Sequence, residues 1–321
     1  MKRLNNLYQH ICSPDNLRVA DSIARKGKRK QYGVGLFDRN KEANIQALHE
    51  SLVNKTFRTS KYKIIPVFEK KERIVYKLPY YPDRIVHHAV MNLLERIFVS
   101  VFTADTYSCI KSRGIHAAHE AVKKALRDVP GTQYYLKLDI KKFYPSVDHD
   151  ILKALLRRKI KDKDLLWLLD EIIDSAEGLP IGNYLSQYFA NFYLTYFDHW
   201  VKEVKQVKYY FRYADDIVVL ASDKQYLHQL LREFQQYLVT ELKLEVKGNW
   251  RVSPVWCGLD FVGYVYRHTH VRLRKGIKKN YARAIWKNKP QSSLASYVGW
   301  MKWCNSNHLR QKLQQPLKLI E

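Results

Sequence analysis

Two stretches of this 321-residue sequence place aspartates where an apolar strand would otherwise continue. "FRYADDIVVL" (211–220) sets Asp215 and Asp216 side by side between two apolar runs, and "YYLKLDIKKFYPSVD" closes an apolar alternation on Asp139. Buried carboxylates are costly and like charges repel, so a chain that gathers them at the edge of a core needs a compensating cation. An isolated Asp-Asp is turn chemistry. Here Val218, Val219 and Leu220 mark a tight hairpin with apolar faces, whose tip carries the pair. Two strands that each end in aspartate bring three carboxylates together. Mg²⁺ keeps much of its water and takes few protein carboxylates plus substrate phosphates. The expected chemistry is phosphoryl transfer with a pair of Mg²⁺ ions, for which Mn²⁺ is a possible substitute, activating an attacking hydroxyl and stabilising the leaving phosphate oxygen.

The elements that must position these groups follow from periodicity. Residues 15–54 predict two amphipathic helices separated by "ARKGKRKQYGVG", in which Arg25, Lys26, Lys28, Arg29 and Lys30 form a basic run read as a phosphate-contacting arm. Residues 61–79 predict a hairpin with a charged turn at Glu69–Glu72, and 82–98 a helix with Asp83 as N-cap. A strand at 133–140, helices after Ser146 and around Trp167–Ile173, and an aromatic helix at 186–204 come next. The Asp-Asp hairpin, a helix at 223–242 and a strand pair at 257–268 follow, and the last 50 or so residues are basic and helical. Residues 272–290 carry eight Lys or Arg, and an apolar stripe of Leu294, Tyr297, Val298 and Met301 comes after them. The pattern is an α+β sheet covered by helices on one side, without the Gly-rich phosphate loops of dinucleotide or P-loop folds.

Composition narrows the function classes. Lys plus Arg number 56 against 31 Asp plus Glu, a net charge of +25. Self-repulsion of that size implies a polyanionic partner, nucleic acid before an anionic membrane. No segment approaches the roughly 20 apolar residues of a membrane span, and the N-terminus has no signal-peptide core. A cytoplasmic location is expected. Cys12, Cys109, Cys257 and Cys304 are far apart and lack a CxxC pair, which argues against a zinc ribbon or a disulfide framework. His116 and His119 form an HxxH on a stretch that reads as helix surface rather than a metal site.

"YADD" between apolar strands, preceded by "LKLDIKKFYPSVDH", resembles the palm of reverse transcriptases. "ERIVYKLPYYPDRIVHHAVMNLLE" resembles the fingers segment of the bacterial enzymes, "TYSCIKSRGIHAAHEAV" the stretch after it, "GLPIGNYLSQYFANFYL" the next motif and "CGLDFVGYVYR" the primer-grip hairpin. The match runs in order along nearly the whole chain. One departure narrows it. Most reverse transcriptases carry Gln-Gly-x-x-x-Ser-Pro where this chain has Ile181-Gly182-Asn183-Tyr184-Leu185-Ser186-Gln187. The Ile, the Gln after Ser, and "ASYVGWMKWCN" near the C-terminus resemble diversity-generating retroelement reverse transcriptases, a group related to those of group II introns. The sequence after this segment is short, so no RNase H domain, maturase extension or endonuclease is expected.

The resemblance implies a right-hand polymerase fold. It places fingers at 1–84 and 110–134, a palm helix at 85–109, the palm at 135–266 and a helical thumb at 267–321. It implies an RNA-directed DNA polymerase that copies a template RNA into cDNA with errors at template adenines, for mutagenic retrohoming and protein diversification. Asp139 and Asp215 would hold both metals, Asp216 would support them, and the Ile140 carbonyl would complete one shell. Tyr144 matches the aromatic that blocks a ribose 2′-OH. Lys63 and Arg73 match triphosphate contacts, with Lys61, Lys70 and Lys71 close by. Ile181, Gly182 and Gln187 belong to the segment that meets the templating base and incoming nucleotide. Lys247 matches a proton donor to pyrophosphate. The basic arm and Arg272, Arg274, Lys275, Lys278 and Lys279 would grip the template–primer duplex. Expected partners are template RNA, primer and cDNA, dNTPs and a small basic accessory variability protein, in the cytoplasm of a bacterial host that carries the gene itself or on a phage. The alternatives are a retron- or defence-type reverse transcriptase and a non-catalytic RNA-binding scaffold with a polymerase fold.

Overall fold

A computed structural model describes residues 3–68 and 72–314, with backbone alone at 72, 73, 310 and 312–314. Most of the charged turn expected at Glu69–Glu72 lies outside the described residues. The chain forms two compact units. The first comprises residues up to Thr103 with Lys141–His199 and Tyr237–Glu245; the second comprises Ala104–Ile140, Trp200–Gln236 and the chain from Val246 onward.

In the first unit, side-chain caps set the helix starts. Ser13 accepts from the Asn16 amide at the head of helix Pro14–Ala24, and Asp148 from the Ile151 amide at the head of His149–Lys159. Asp162 caps Lys163–Ile173 and also accepts from the amides of Leu7 and Tyr8. Strands β1 (Lys63–Phe68) and β2 (Glu72–Lys77) pair as the expected hairpin, with Lys63 opposite Lys77 and Val67 opposite Arg73. Helix Ile85–Val101 is covered along most of its surface, with Arg96 and Ser100 its exposed residues. It packs against Pro14–Ala24 and Tyr184–Tyr193, and Phe98 lies against the rings of Phe102, Tyr188, Phe189 and Phe192.

Three expectations change here. A further helix, Tyr32–Asp38, occupies part of the stretch read as a loop, between Pro14–Ala24 and Lys41–Val53. Asp83 is not a cap. It is fully buried in the turn before Ile85 and accepts from the Ser60 amide, a partner distant in sequence that no local pattern reveals. The long aromatic helix is also broken, into Tyr184–Tyr193, Thr195–His199 and a wider turn at Trp200–Val204.

The second unit is built on an antiparallel sheet. Strands β3 (Tyr134–Asp139), β4 (Tyr209–Tyr213), β5 (Asp216–Ala221) and β6 (Arg251–Pro254) lie in the order β4-β5-β3-β6. Tyr135, Phe211, Val218 and Leu220 share a core with helix Ile115–Ala125 and with β7 (Leu259–Phe261), β8 (Tyr264–Tyr266) and β9 (Val271–Leu273). Leu136, Leu138, Tyr210, Ile217 and Val219 of the same strands are buried as well. Strands covered on both faces read as unbroken apolar runs, which explains "IVVL". Leu294, Tyr297 and Met301 of helix Gln291–Met301 join this core, whereas Val298 is exposed. His119 also departs from expectation. It is completely buried, bonded to the Tyr266 hydroxyl at 3.1 Å, and its imidazole is pushed down to about 4 by burial. Among the described residues, no helix is long and apolar enough to cross a membrane.

Arg212 connects this core to the Asp-Asp hairpin. It is fully buried, its amide donates to the Asp105 carbonyl at 2.9 Å, and its carbonyl accepts from the Tyr107 amide at 3.0 Å. Its guanidinium donates to the Ala214 carbonyl at 3.1 Å, inside the hairpin turn. Ala214 sits at φ +55°, and its amide donates to the Ser108 hydroxyl. The turn is therefore clamped from the 105–108 segment. Arg212→Met removes the charged donor of the half-buried Ala214 carbonyl and is expected to destabilise the fold by about 2 kcal/mol, seen as a melting temperature several degrees lower. An unchanged melting temperature would remove Arg212 from this role.

Candidate active site

In the second unit, β3 and β5 pair so that Asp139 stands directly opposite Asp216, while Tyr213 opposes Asp216 across the hairpin. The Ile140 amide donates to the Asp215 carbonyl, and Ile140 bridges to Val246, which brings in the next residue. The Lys247 amide donates to the Asp139 carbonyl at 2.8 Å, and its ammonium reaches Asp139 Oδ1 at 2.5 Å. Backbone pairing alone thus gathers Asp139, Ile140, Asp215, Asp216 and Lys247.

The carboxylates divide into a pair and a single group. Burial pushes the Asp215 carboxyl up to about 6, aided by the negative charge of Asp139 and a hydrogen bond with it. Burial also pushes Asp216 up to about 6, opposed by Lys137, whose ammonium lies 3.2 Å from Asp216 Oδ2. Lys137 Nζ donates in addition to the Asp260 carbonyl at 2.6 Å, and Asp260 pairs with Arg274 at 2.5 Å. Among the described residues, no three Asp, Glu, His or Cys side chains are gathered as a ready metal cage. The expected threefold convergence is thus a close pair, Asp139 and Asp215, with Asp216 turned to its lysine.

These features fit a divalent cation. Among the described residues, the compensating charge beside the Asp139–Asp215 pair is the Lys247 ammonium. Asp216 Oδ1 is buried without a hydrogen-bond partner. A cation that keeps its waters and accepts substrate phosphates needs no closed protein cage.

Lys137 and Arg212 were missed in the sequence. Lys137 stands two residues before Asp139 on β3, and strand alternation puts both on one face, so that signal was present. Arg212 lies between Phe211 and Tyr213 in β4, and only its complete burial reveals it.

The first unit collects a different set. The Ile181 carbonyl accepts from the Tyr76 amide of β2 at 2.8 Å. Gly182 has φ +120°, and a Cβ there would meet the Tyr76 carbonyl at 2.5 Å, so close approach to the hairpin requires glycine. The Tyr144 carbonyl accepts from the Leu179 amide at 2.8 Å, next to Gly178. Ile181 and Tyr144 are half-buried, and Gln187 is exposed on helix Tyr184–Tyr193. Lys63 is exposed on β1; the Arg73 side chain lies outside the described residues.

The basic residues separate by partner. Arg25 donates to Asp21 and Asp38 at 2.7 and 2.8 Å, and Arg274 is paired with Asp260. Both are engaged within the fold. Lys26, Arg29, Lys30, Arg272, Lys275 and Lys279 are exposed, while Lys28 and Lys278 are half-buried.

A family model described as reverse transcriptase (RNA-dependent DNA polymerase) matches residues 60–249, more than half of the chain. The chain belongs to the reverse transcriptase family. The group II intron-encoded protein LtrA of Lactococcus lactis is 26% identical over 218 residues, 62% of this chain and 35% of that protein. This reverse transcriptase chain thus spans about a third of that relative's length. The Retron Ec73 reverse transcriptase of Escherichia coli is 25% identical over 243 residues, covering 67% of this chain and 75% of its own. A Candida tropicalis telomerase solved with a fragment of telomeric RNA superposes at a TM-score of 0.51 with 11% identity, over 78% of this chain and 53% of that one. At that identity the likeness is one of fold, and it is the right-hand polymerase fold.

The raised carboxyl sets a pH signature for stability. Asp215 binds its proton more tightly folded than unfolded, so its contribution is most favourable below about pH 4 and is lost as pH rises through about 6. Asp215→Asn removes that loss. In EDTA at pH 8 the variant is expected to melt a few degrees above the unmodified chain, and near pH 4 the gain should disappear. Equal melting temperatures at pH 8 would show that no such repulsion is stored.

Proposed function

We propose that this chain is an RNA-directed DNA polymerase that copies a template RNA into cDNA. The observation that carries the reading is the register of β3 against β5, which sets Asp139 opposite Asp216 and beside Asp215. Membership of the reverse transcriptase family supports it, and the telomerase likeness, with RNA bound in that complex, supports an RNA partner.

Asp139 and Asp215 would hold Mg²⁺, or Mn²⁺ in its place, with the Ile140 carbonyl and the unpartnered Asp216 oxygen nearby. Such ions supply activation of the primer 3′-hydroxyl and neutralisation of the leaving pyrophosphate. The residues of the chain do the rest. Lys137 neutralises Asp216 and fixes its rotamer. Lys247, anchored at Asp139, holds a proton it can give to a pyrophosphate oxygen. Tyr144, with its backbone pinned by Leu179, excludes a ribose 2′-OH and so selects deoxynucleotides. Lys63 and Arg73 on the hairpin meet the triphosphate.

The finer reading is an error-prone enzyme of the diversity-generating kind, working with an accessory protein. It rests on Ile181, a residue with no side-chain donor or acceptor, which leaves discrimination to shape. The retron enzyme's coverage, 75% of its own length, favours the second reading, a retron-type reverse transcriptase.

Primer extension on an RNA template with Mg²⁺ and dNTPs tests the activity. Asp215→Asn should slow extension by about a hundredfold or more, the scale of losing one charge-stabilising group at a reacting centre. Product from the unmodified chain that survives this substitution, or the absence of product with cognate RNA and partner supplied, would overturn the proposal. Sequencing the cDNA separates the subtypes. Errors concentrated opposite template adenine, and reduced in Ile181→Gln, mark the diversity-generating reading, whereas accurate cDNA marks the retron-type one.

A further inference from the structure

The side chains of the basic run after helix Pro14–Ala24 do not share one environment. Arg25 is held by Asp21 and Asp38, and Lys26, Arg29 and Lys30 face solvent, but Lys28 turns inward and is half-buried. It lies within electrostatic reach of Arg84 and His88, at the start of helix Ile85–Val101. The Arg84 Nε is buried without a hydrogen-bond partner. His87 is 3% exposed, and its Nε2 is likewise unpartnered. His88 stacks on Tyr184, with ring centres 4.5 Å apart and planes 20° from parallel.

Among the described residues, no carboxylate lies within ion-pair distance of Lys28 or Arg84. Asp21 is taken by Arg25, by Lys41 at 3.2 Å and by the Tyr80 hydroxyl at 2.5 Å. Asp83 accepts from the Ser60 amide, and its second oxygen has no hydrogen-bond partner. The electrostatic consequence is mutual. Burial and then Arg84 hold the Lys28 ammonium below its ordinary range. Burial, then Arg84 and Lys28, push the His88 imidazole down to about 4. A half-buried guanidinium whose Nε is enclosed without a hydrogen-bond partner, beside a half-buried lysine, and with no carboxylate in ion-pair distance among the described residues, is a site that lacks its anion.

We propose that Lys28 and Arg84, flanked by His87 and His88, seat a backbone phosphate of the single-stranded template. This rests on the polymerase reading above. The template is favoured over the incoming nucleotide because Tyr184, stacked on His88, opens the helix that follows Ile181 and Gly182. The expected triphosphate contacts, Lys63 and Arg73, lie instead on the β1–β2 hairpin. Arginine provides the fork that a phosphate accepts, and neutral histidines beside it leave room for a second phosphate oxygen.

The test is the salt dependence of affinity for a single-stranded RNA oligonucleotide, with the dNTP KM measured alongside. Lys28→Met should weaken RNA binding roughly tenfold at low salt and reduce the slope of log K against log salt by about 0.7, one single-strand phosphate contact. The dNTP KM should not change. Arg84→Lys should keep most of the slope and Arg84→Gln should lose it. Should Arg84→Gln fail to fold, Lys28→Met decides alone, since its side chain is only half-buried. A Lys28→Met variant with the unmodified melting temperature, slope and affinity would overturn the seat. So would a raised dNTP KM with an unchanged RNA slope, which would assign the anion to the nucleotide's triphosphate. Failure of the unmodified chain to bind RNA at all would overturn the polymerase reading itself, and this one with it.

Discussion

Like-charge repulsion at the meeting of two strand ends is the constraint on which the second unit depends. Asp139 closes β3 and Asp216 opens β5, and their register sets them face to face with Asp215 adjoining. Side-chain energetics alone would separate these groups. Backbone pairing prevents that: the Ile140 amide is tied to the Asp215 carbonyl, and the Asp139 carbonyl to the Lys247 amide. Arg212 and Ser108 fix the turn between the strands. Lys137 and Lys247 each neutralise one carboxylate, and Asp215 is left with a raised proton affinity. Local rules are broken where function is expected, and the surrounding sheet supplies the stability that permits it.

The legible parts of the sequence were those with a strong local signature. An Asp-Asp interrupting apolar strands, and an alternation ending in Asp139, announced the site and the hairpin. The β1–β2 pairing and most helices followed from period and caps. Strands β6 and β9 carried no signature: they are runs of four and three residues, and they lack the apolar and aromatic run around Gly263 that marked the equally short β7 and β8. Asp83 was misread because its partner, the Ser60 amide, lies 23 residues away. Arg212 has the composition of a solvent-facing strand residue, and only tertiary enclosure makes it structural. The basic run Arg25–Lys30 looked uniform, yet the fold gives Arg25 to two carboxylates, turns Lys28 inward and exposes the rest. Ile181 was noticed through a family likeness. The physics visible at that site, a carbonyl bonded to Tyr76 and a glycine that must approach it, belongs to the backbone.

The cations behind the net charge of +25 are of three kinds. Some cations, such as Arg25, Arg274, Lys137 and Lys247, are neutralised inside the fold. Others, such as Lys275 and Lys279 on the helix Lys275–Trp286 and Lys26, Arg29 and Lys30 after Ala24, are exposed singly, where they add a diffuse attraction for phosphates that salt screens. Lys28 and Arg84 are of a third kind, partly withdrawn from water and with no counter-charge among the described residues. A protein that binds one polyanion can carry all three, because the partner offsets the repulsion of the second kind and completes the third.

The most direct test of the central claim, that the Asp139–Asp215 pair is held ready for a divalent cation, is Mn²⁺ titration followed by electron paramagnetic resonance. It would use the chain loaded with an RNA template, a DNA primer lacking its 3′-hydroxyl and the matched dNTP. Free Mn²⁺ should fall in the presence of the unmodified chain, and Asp139→Asn and Asp215→Asn should each abolish most of that binding while Lys137→Met does not. Equal Mn²⁺ binding by the unmodified chain and both aspartate variants would contradict the account.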